Sequence, residues 1–391
     1  MPGLNGRVLN VKASATLAIS AKAKAMKKQG IDVVGFGTGQ PDFDTPEPIK
    51  NAAIEAIKSG ETKYTPASGL PELKKAIVEK FERDNNLKYD IDNISVNCGA
   101  KHSLFNIFLT ICEEGDEVLI PVPYWLTYPE QVKIAGAKPV FVETSLETNY
   151  KITPEILDKY ITSRTKALLF NSPSNPSGAV YTRKELEVLT KYLEDKDIWI
   201  ISDEVYEFLV YDGLKHTSIA SLSPKIYEKT FTVNAVSKTF AMTGWRIGYI
   251  AGPKEAIKVI NNIQSHSTSN PTSISQYAAI AALTKYYEEV FPMVEKYKKR
   301  RKLMLDLLKE IDGIKLVEPQ GAFYVFPDFE DIIKNMGYKD SFDFAEDLLE
   351  KEKVAVVPGT PFGKPYCIRL SYALSEKDIE KGLKRIMEFV K

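Results

Sequence analysis

Seven short apolar runs alternate with longer amphipathic stretches between residues 94 and 252 of this 391-residue chain. This alternation is typical of βα units and predicts an α/β fold with a mostly parallel seven-stranded sheet flanked by helices. The helical stretch TRKELEVLTKYLEDKD carries Thr182 and Glu185 at capping-box spacing, and its leucines fall on one face. The predicted strands are residues 94–97, 117–122, 138–143, 166–171, 198–203, 230–234 and 248–252.

The pattern changes near residue 285, where a long charged amphipathic helix is followed by shorter apolar runs and a terminal helix. We expect a smaller α+β domain there. The KKRR cluster at 298–301 lies on a helix rich in acidic residues, so we expect a solvated face and no nucleic-acid site. The expected division is an N-terminal arm and part of the small domain in 1–45, a large domain in 46–284 and a small C-terminal domain in 285–391.

The composition excludes several classes of function. Fifty-two basic residues balance 52 acidic ones, so nothing favours binding to nucleic acid or to an anionic membrane. No apolar run reaches the roughly 18 residues of a membrane span, and no signal peptide is evident, so we expect a cytoplasmic protein. The three cysteines and three histidines are scattered. We therefore expect neither a disulfide framework nor a metal site.

Polar and aromatic residues follow the predicted strands, and ligands of open α/β sheets bind beyond the carboxyl ends of the strands. Each residue alone has an ordinary explanation, such as a βα turn, a core aromatic, a helix cap or a surface lysine. The set after successive strands is Gly99 with Lys101, Trp125, Asn175, Asp203 with Tyr206, and Lys238 with Arg246.

Together these residues fit a phosphorylated aromatic cofactor that is linked covalently to a lysine, namely pyridoxal 5'-phosphate. This cofactor needs a lysine for a covalent link, an acid beside its pyridine nitrogen and a phosphate cup. A glycine turn that opens a helix can supply such a cup through its backbone N–H groups. The sequence therefore predicts a pyridoxal-phosphate site at the carboxyl edge of the sheet.

The sequence resembles the fold-type-I pyridoxal-phosphate aminotransferases of the class I/II family, most closely the bacterial-type subgroup that acts on aspartate and prephenate. The resemblance extends over essentially the whole chain and implies the transferase fold of that family. It rests on the motifs GQPDFDTP (39–46), YTPASGLPELKKAI (64–77), GAKHSLFN (99–106), PYWLTYPE (123–130), NSPSNPSGAVY (171–181), SDEVYE (202–207), SKTFAMTGWRIGY (237–249) and RLSYA (369–373).

The resemblance implies roles for residues around the cofactor ring. Lys238 would form the covalent link and, once released, move a proton at the substrate α-carbon. Asp203 would hold the proton of the pyridine nitrogen. Asn175 and Tyr206 would donate hydrogen bonds to the phenolate oxygen, and Trp125 would stack on the ring.

The resemblance also implies a phosphate site and a dimer. Tyr64 matches a tyrosine that reaches the phosphate of the neighbouring subunit, which implies a homodimer with shared active sites. Ala235 departs from the family, because a serine that contacts the phosphate often stands there, so one hydrogen bond is missing or supplied elsewhere. The implied phosphate ligands are Gly99, Ala100, Lys101 and Arg246, and Ser237 is a further implied cofactor-binding residue.

The substrate α-carboxylate is implied to bind Arg369 as a bidentate pair, with the backbone of Gly39 close to it. The N-terminal segment to about Thr16 would close over the substrate, and Trp125 and Asn175 would also contact it. The alternation in YCIRLSYA alone fits a solvated strand face equally well, so that alternative for Arg369 stays open.

Two lysines are candidates for recognising the side chain of the substrate. Lys101 matches a lysine that reaches the distal carboxylate of aspartate or glutamate, although it could instead be a second phosphate cation. Lys12 matches a lysine linked in this subgroup to acceptance of prephenate.

We therefore expect an aminotransferase acting on L-aspartate and 2-oxoglutarate, with prephenate as a further candidate substrate. The alternatives are an aminotransferase for aromatic amino acids, alanine or kynurenine, a pyridoxal-phosphate C–S lyase, and a non-catalytic ligand sensor. Sensors of that type carry an added DNA-binding domain, whereas this chain begins almost at once with the aminotransferase arm. The expected partners are small amino acids and 2-oxo acids.

Overall fold

The computed structural model describes residue 3, residues 6–9, residue 11 and residues 15–391. Lys12 and the side chain of Thr16 lie outside the described residues. The strands are β1 Val34–Gly35, β2 Ile94–Asn97, β3 Glu117–Val122, β4 Lys138–Glu143, β5 Thr165–Asn171, β6 Trp199–Asp203, β7 Thr230–Ala235, β8 Gly248–Ala251, β9 Tyr324–Val325, β10 Val354–Ala355, β11 Val357–Pro358 and β12 Ile368–Ser371.

The α-helices surround these strands, and within the described part of the chain none is long and apolar enough to cross a membrane. The helices are α1 Gly6–Leu9, α2 Ala15–Lys28, α3 Glu47–Lys58, α4 Pro71–Asn85, α5 Ala100–Ile111, α6 Thr127–Ile134, α7 Pro154–Leu157, α8 Arg183–Leu193, α9 Pro224–Tyr227, α10 Val236–Thr239, α11 Lys254–Ser265, α12 Ser273–Thr284, α13 Val290–Leu308, α14 Glu330–Asn335, α15 Ser341–Glu352 and α16 Glu376–Phe389.

The central sheet has seven strands in the order β2-β8-β7-β6-β5-β3-β4. Strands β3 to β7 pair in parallel, whereas β8 is antiparallel to both of its neighbours. The prediction of a mostly parallel seven-stranded sheet is confirmed. Each of the seven predicted strands matches an observed strand to within one residue at either end.

Both faces of the sheet are covered by helices. Helices α5, α6 and α11 pack their apolar faces on one side of the strands. The leucines of α8 pack on the other side, as the spacing in that helix predicts. Thr182 and Glu185 form the predicted capping box at the start of α8. Burial on both faces explains why the central strands are continuous apolar runs and do not alternate.

The C-terminal part contains a three-stranded antiparallel sheet, β11-β12-β9, packed with α13, α15 and α16. The short strand β1 from the N-terminal part pairs in parallel with β10. This pairing carries the segment after β1 to the edge of the pocket described below. The domain boundaries at residues 45 and 284 stay a prediction.

The KKRR cluster differs from the sequence expectation. Arg301 is only 7% exposed and forms an ion pair with Asp212 at 2.8 Å. Arg300 pairs with Asp42 at 2.8 Å and lies over the ring of Phe43. The expectation of a solvated face is therefore wrong for these two arginines, because α13 uses them to hold other segments of the chain.

A substitution at Gly382 tests how closely α16 packs on the strand that leads into the pocket. A Cβ at this position would overlap the ring of Phe36 and lie 2.9 Å from Cγ1 of Val34. We expect Gly382→Ala to destabilise the protein by about 1–3 kcal/mol, because a closely packed core cannot accept the methyl group without moving. Calorimetric unfolding would measure this loss as a lower melting temperature.

Gly35→Ala is the matched control, because a Cβ on Gly35 would meet nothing within 4 Å. We expect it to melt within about a degree of the native protein. Equal melting temperatures for Gly382→Ala and the native protein would contradict the close approach of α16.

Candidate active site

A cavity of about 560 Å³ lies at the carboxyl ends of β5, β6 and β7. It is closed on the other side by the segment after β1 and by β12. Most of the residues that the sequence singled out line this one cavity. They are Gly39, Ala100, Lys101, Trp125, Asn175, Asp203, Tyr206, Ser237, Lys238, Arg246 and Arg369.

Asp203 lies at the floor of the cavity, at the end of β6, and is 5% exposed. The hydroxyl of Tyr128 donates to Asp203 Oδ2 at 2.7 Å, and the N–H of Val205 donates to Oδ1 at 3.3 Å. Burial raises the pKa of Asp203 to about 6, and the two hydrogen bonds limit the rise. A buried acid of this kind can accept a hydrogen bond from a protonated nitrogen of a ligand.

Lys238 follows β7 in the short helix α10, and its Nζ donates to the carbonyl of Gly39 at 2.6 Å. Burial lowers the pKa of Lys238 to about 7, the positive charges of Arg369 and Arg246 lower it further, and Asp203 opposes them. A lysine with such a pKa is partly neutral at physiological pH. It can act as a nucleophile and as a base.

Arg369 forms the opposite wall, and it is 4% exposed. Its Nη1 donates to Asn175 Oδ1 at 3.0 Å and its Nη2 to the carbonyl of Gly37 at 3.1 Å. Its guanidinium lies 4.4 Å from the ring centroid of Tyr324. Because every residue of β12 is buried, the alternative of a solvated strand face is wrong. Nε of Arg369 is buried without a partner in the described structure, and Nη1 and Nη2 each carry a second N–H, so donors of this lining residue remain for a ligand.

Two tyrosines that the sequence analysis did not assign complete the cavity. Tyr128 holds Asp203 from α6, three residues after Trp125 in the same motif. Tyr324 shares a hydrogen bond with Tyr206 at 3.0 Å between the two hydroxyls. Tyr324 lies in one of the shorter apolar runs that follow the long helix near residue 285, and such a run predicts only a strand, so no pattern in the sequence pointed to Tyr324.

The start of α5 and Arg246 form an anion-binding end of the cavity. Gly99 is the N-cap of α5 and has a φ of 87°, a left-handed conformation that favours glycine. Arg246 donates to the carbonyl of Cys98 at 3.2 Å and to that of Thr243 at 2.9 Å. A Cβ on Gly99 would overlap the guanidinium of Arg246, so only glycine permits this arrangement. Free N–H groups and a positive dipole at a helix start attract phosphates.

Lys101 and Trp125 lie together at the side of the cavity. Lys101 Nζ is 4.9 Å from the ring centroid of Trp125. Burial and the charge of Arg246 lower the pKa of Lys101. Ala235 ends β7, lines the cavity and is buried, so the departure from the family places a methyl group there.

The structure does not bring every predicted residue to this cavity. Tyr64 is 92% exposed and does not line the cavity of its own chain. The predicted contacts of Lys12 and of the Thr16 side chain lie outside the described residues.

The residues present fit pyridoxal 5'-phosphate. The cavity pairs a buried acid with a lysine whose pKa is lowered, and it adds an arginine beside a glycine-capped helix start and a half-buried tryptophan. The guanidinium of Arg369, which lines the same cavity and keeps unused N–H donors, can hold a carboxylate.

The charge environment of Lys238 can be tested by competitive acetylation followed by mass spectrometry. We expect half-maximal reactivity of Lys238 near pH 7, and a higher midpoint in Arg369→Met, because Arg369 lowers the pKa of Lys238. We expect a lower midpoint in Asp203→Asn, because Asp203 raises that pKa.

Lys225 is the internal control for acetylation, because its hydrogen bond to Asp195 raises its pKa above 10.5. An acetylation midpoint for Lys238 as high as that of Lys225 would contradict the buried cationic environment of Lys238.

Comparisons with known proteins agree with this geometry. The family model for aminotransferase class I and II matches residues 31–386. The aspartate aminotransferase of Bacillus sp. strain YM-2 is 51% identical over 99% of both chains. The aspartate/prephenate aminotransferase of Cereibacter sphaeroides is 47% identical over 100% of this chain and 99% of its own.

Solved structures show the same similarity. The aspartate aminotransferase of Rhizobium meliloti superposes with a TM-score of 0.95 at 43% identity, covering 100% of this chain and 99% of that one. The Thermus thermophilus aspartate aminotransferase with maleate gives a TM-score of 0.94 at 46% identity, covering 99% of this chain and 100% of that one. The chain therefore belongs to the class I and II aminotransferase family, and its fold is the fold-type-I fold of those aspartate aminotransferases.

Proposed function

We propose that this aminotransferase uses pyridoxal 5'-phosphate to move an amino group between L-aspartate and 2-oxoglutarate, giving oxaloacetate and L-glutamate. The observation that carries the proposal is Lys238, an amine whose pKa is lowered to about 7 and which faces Asp203 and Arg369 across one cavity. Aspartate appears in the names of relatives that are about half identical over nearly their whole length.

The cofactor, when bound, supplies an aldehyde for the amino group and a ring that delocalises negative charge from the α-carbon. Asp203 would hold the proton of the ring nitrogen, and Tyr128 keeps the Asp203 carboxylate in place. Arg246 and the start of α5 would hold the phosphate. Asn175, Tyr206 and Trp125 would hold the ring.

Lys238 performs the proton transfer. Near neutral pH both its charged and its neutral forms are populated, so Nζ can accept a proton and return it without a large cost in free energy. Arg369 binds the substrate α-carboxylate in this proposal, because Asn175 and Gly37 each take one of its five N–H donors and the other three remain for a ligand. Gly39 lies close to the same carboxylate.

The second carboxylate of the substrate is assigned to Lys101. Its ammonium contacts the ring of Trp125, and no carboxylate partner for it is found in the described part of the chain. The Thermus thermophilus relative was solved with maleate, a dicarboxylate. Prephenate is also a dicarboxylate and appears in the name of the Cereibacter sphaeroides relative, so it is a second candidate substrate. For Lys12 the proposed role is recognition of prephenate, and the Thr16 segment would close over the substrate.

The proposal is tested with amino donors supplied with 2-oxoglutarate, and separately with prephenate, to the native protein and to Lys101→Ala. We expect native transfer from aspartate and none with Lys238→Ala. We expect Lys101→Ala to lower kcat/KM for aspartate about 30-fold or more, because one carboxylate loses its charged partner. For alanine, which has no distal carboxylate, the change should stay within about threefold.

Lys133→Ala is the matched control, because Lys133 pairs with Glu130 on α6 and does not line the cavity. It should behave as the native protein does. Equal losses for aspartate and alanine in Lys101→Ala would show that Lys101 serves the phosphate instead. Release of pyruvate and ammonia from cystathionine, without amino transfer, would establish a C–S lyase, and binding without turnover would establish a sensor.

We also propose a homodimer with shared active sites. Tyr64 is almost fully exposed, and two large apolar residues that precede it in sequence, Ile54 and Ile57 on α3, are 44% and 52% exposed. A protein interface would bury such side chains. A neighbouring copy would supply this interface and would bring Tyr64 to the phosphate of the other chain.

Mixed dimers test this arrangement. Tyr64→Ala and Lys238→Ala chains are each impaired alone, but a mixed dimer would hold one site with native Lys238 and the native Tyr64 of the partner. We expect mixing to restore about a quarter of native activity, since half of the dimers are mixed and each has one intact site.

The mixed dimers are formed by unfolding the two variants and refolding them together. In the control each variant is unfolded and refolded alone. Absence of restoration, with mixed dimers detected by mass spectrometry, would place Tyr64 at the site of its own chain.

A further inference from the structure

A buried network of charged side chains lies directly behind Asp203, on the side of β6 that faces away from the cavity. Side chains alternate between the two faces of a strand, so Asp203 points into the cavity while Ser202 and Glu204 share the opposite side. The network members are Lys80, Asn85, Ser202, Glu204, Glu207, His216 and Ser218, all buried or nearly buried.

Glu204 is the centre of this network. Its Oε1 accepts from the hydroxyls of Ser202 at 2.8 Å and Ser218 at 2.7 Å. Its Oε2 accepts from His216 Nε2 at 2.9 Å and from Asn85 at 3.3 Å. Because a carboxylate only accepts, His216 donates from Nε2, and its Nδ1 is left buried without a partner. Four donors aimed at one buried carboxyl favour its ionised form.

The remaining charges of the network nearly cancel. Lys80 forms an ion pair with Glu207 and donates to Asn85 Oδ1 at 2.6 Å. The amide of Asn85 donates to Glu207 at 2.8 Å. Ligand atoms of Glu204, Glu207 and His216 lie within 4.8 Å of one another, as in a metal site, but the ammonium of Lys80 already supplies the cation. Among the described members of the network Lys80 is the one lysine or arginine, and it pairs with Glu207, so the carboxylate of Glu204 is held by His216 and by the hydroxyls of Ser202 and Ser218.

We propose that His216 and Glu204 are positioning residues for the reaction: His216 keeps Glu204 ionised, and the buried charge of Glu204 strengthens the hold of Asp203 on the ring nitrogen's proton. The inference rests on the proposed function, because it concerns the ring of pyridoxal 5'-phosphate. Glu204 is next to Asp203 in sequence, and none of its described hydrogen bonds reaches a residue that lines the cavity. Glu204 therefore acts on the cavity through the electric field of its charge.

The pKa values agree in direction with this arrangement. Burial would raise the pKa of Glu204, but the contacts with His216, Ser218 and Ser202 outweigh it and lower that pKa. Burial raises the pKa of Asp203 to about 6, the bonds from Tyr128 and Val205 oppose the rise, and the charge of Glu204 adds to it. On the cavity side Lys238 is the charged group that opposes Glu204.

The test compares binding of two probes to cofactor-free protein at pH 8, where imidazole side chains are ordinarily neutral. The probes are pyridoxal 5'-phosphate and its carbon analogue, in which C–H replaces the ring nitrogen. The ratio of their dissociation constants, measured from tryptophan fluorescence, isolates the interaction of the ring nitrogen with Asp203. Asp203→Asn serves as the reference with that interaction weakened.

We expect the native protein to prefer pyridoxal 5'-phosphate, and we expect Glu204→Gln and His216→Phe each to lower the preference about threefold to tenfold. His216→Gln retains a donor for Glu204 and should keep the preference within about twofold. The double variant Lys80→Met with Glu207→Gln removes one charge of each sign from the same network. It should leave the preference unchanged even if its melting temperature falls.

An unchanged preference in both Glu204→Gln and His216→Phe would overturn the inference. The inference would also be overturned if the preference fell as far in His216→Gln and in the double variant as in Glu204→Gln, because such a result would indicate general damage to packing. If Glu204→Gln does not fold, the comparison of His216→Phe with His216→Gln decides. A native protein that binds neither probe overturns the proposed function, whereas one that binds both equally overturns only the role of Asp203 and this inference with it.

Discussion

The structure depends on a concentration of positive charge around a single acid. Lys101, Lys238, Arg246 and Arg369 line the cavity, and Asp203 is the only carboxylate among its described lining residues. Burial, and after it the repulsion of neighbouring positive charges, lowers the pKa values of both Lys101 and Lys238. An arrangement of this kind is unfavourable for an empty protein and favourable for one that binds a phosphate and carboxylates.

The scaffold holds these charges in place from several directions. Arg369 comes from β12 in the C-terminal sheet, whereas Asn175, its partner, comes from the loop after β5 of the central sheet. The segment of Asp42 is tied to α13 by Arg300. Backbone bonds from residues 320 and 321 to the carbonyl of Gly178 join the same two regions. The cavity is therefore built between two packed parts of the chain: the central-sheet part supplies Lys101, Asp203, Lys238 and Arg246, and the C-terminal part supplies Arg369.

Strand positions could be predicted because burial on both faces of the sheet requires continuous apolar runs. The polar residue at the end of each run marks the carboxyl edge of the sheet, where ligands bind. Asp203 and Lys238 were found in this way. Tyr128 and Tyr324 were not, because an aromatic residue in an apolar segment gives the same signal whether its hydroxyl serves the core or a cavity. The solvated face expected for KKRR failed for a related reason. The partners of Arg300 and Arg301 are some 90 to 260 residues away, and only tertiary packing brings them close.

The shifted pKa values of Lys238 and Asp203 also link folding to ligand binding. Lys238 has a lower pKa in the folded chain than its ordinary value of 10.5, so the unfolded chain binds more protons between about pH 7 and 10.5, and this residue's contribution to stability rises with pH there. Asp203 has a raised pKa, so its contribution falls as pH rises from 3.8 to about 6. Near neutral pH the folded chain therefore carries the cost of burying both groups. A bound dianion offsets the cationic part of that cost, which ties the stability of this aminotransferase to the ligand that its cavity is built to hold.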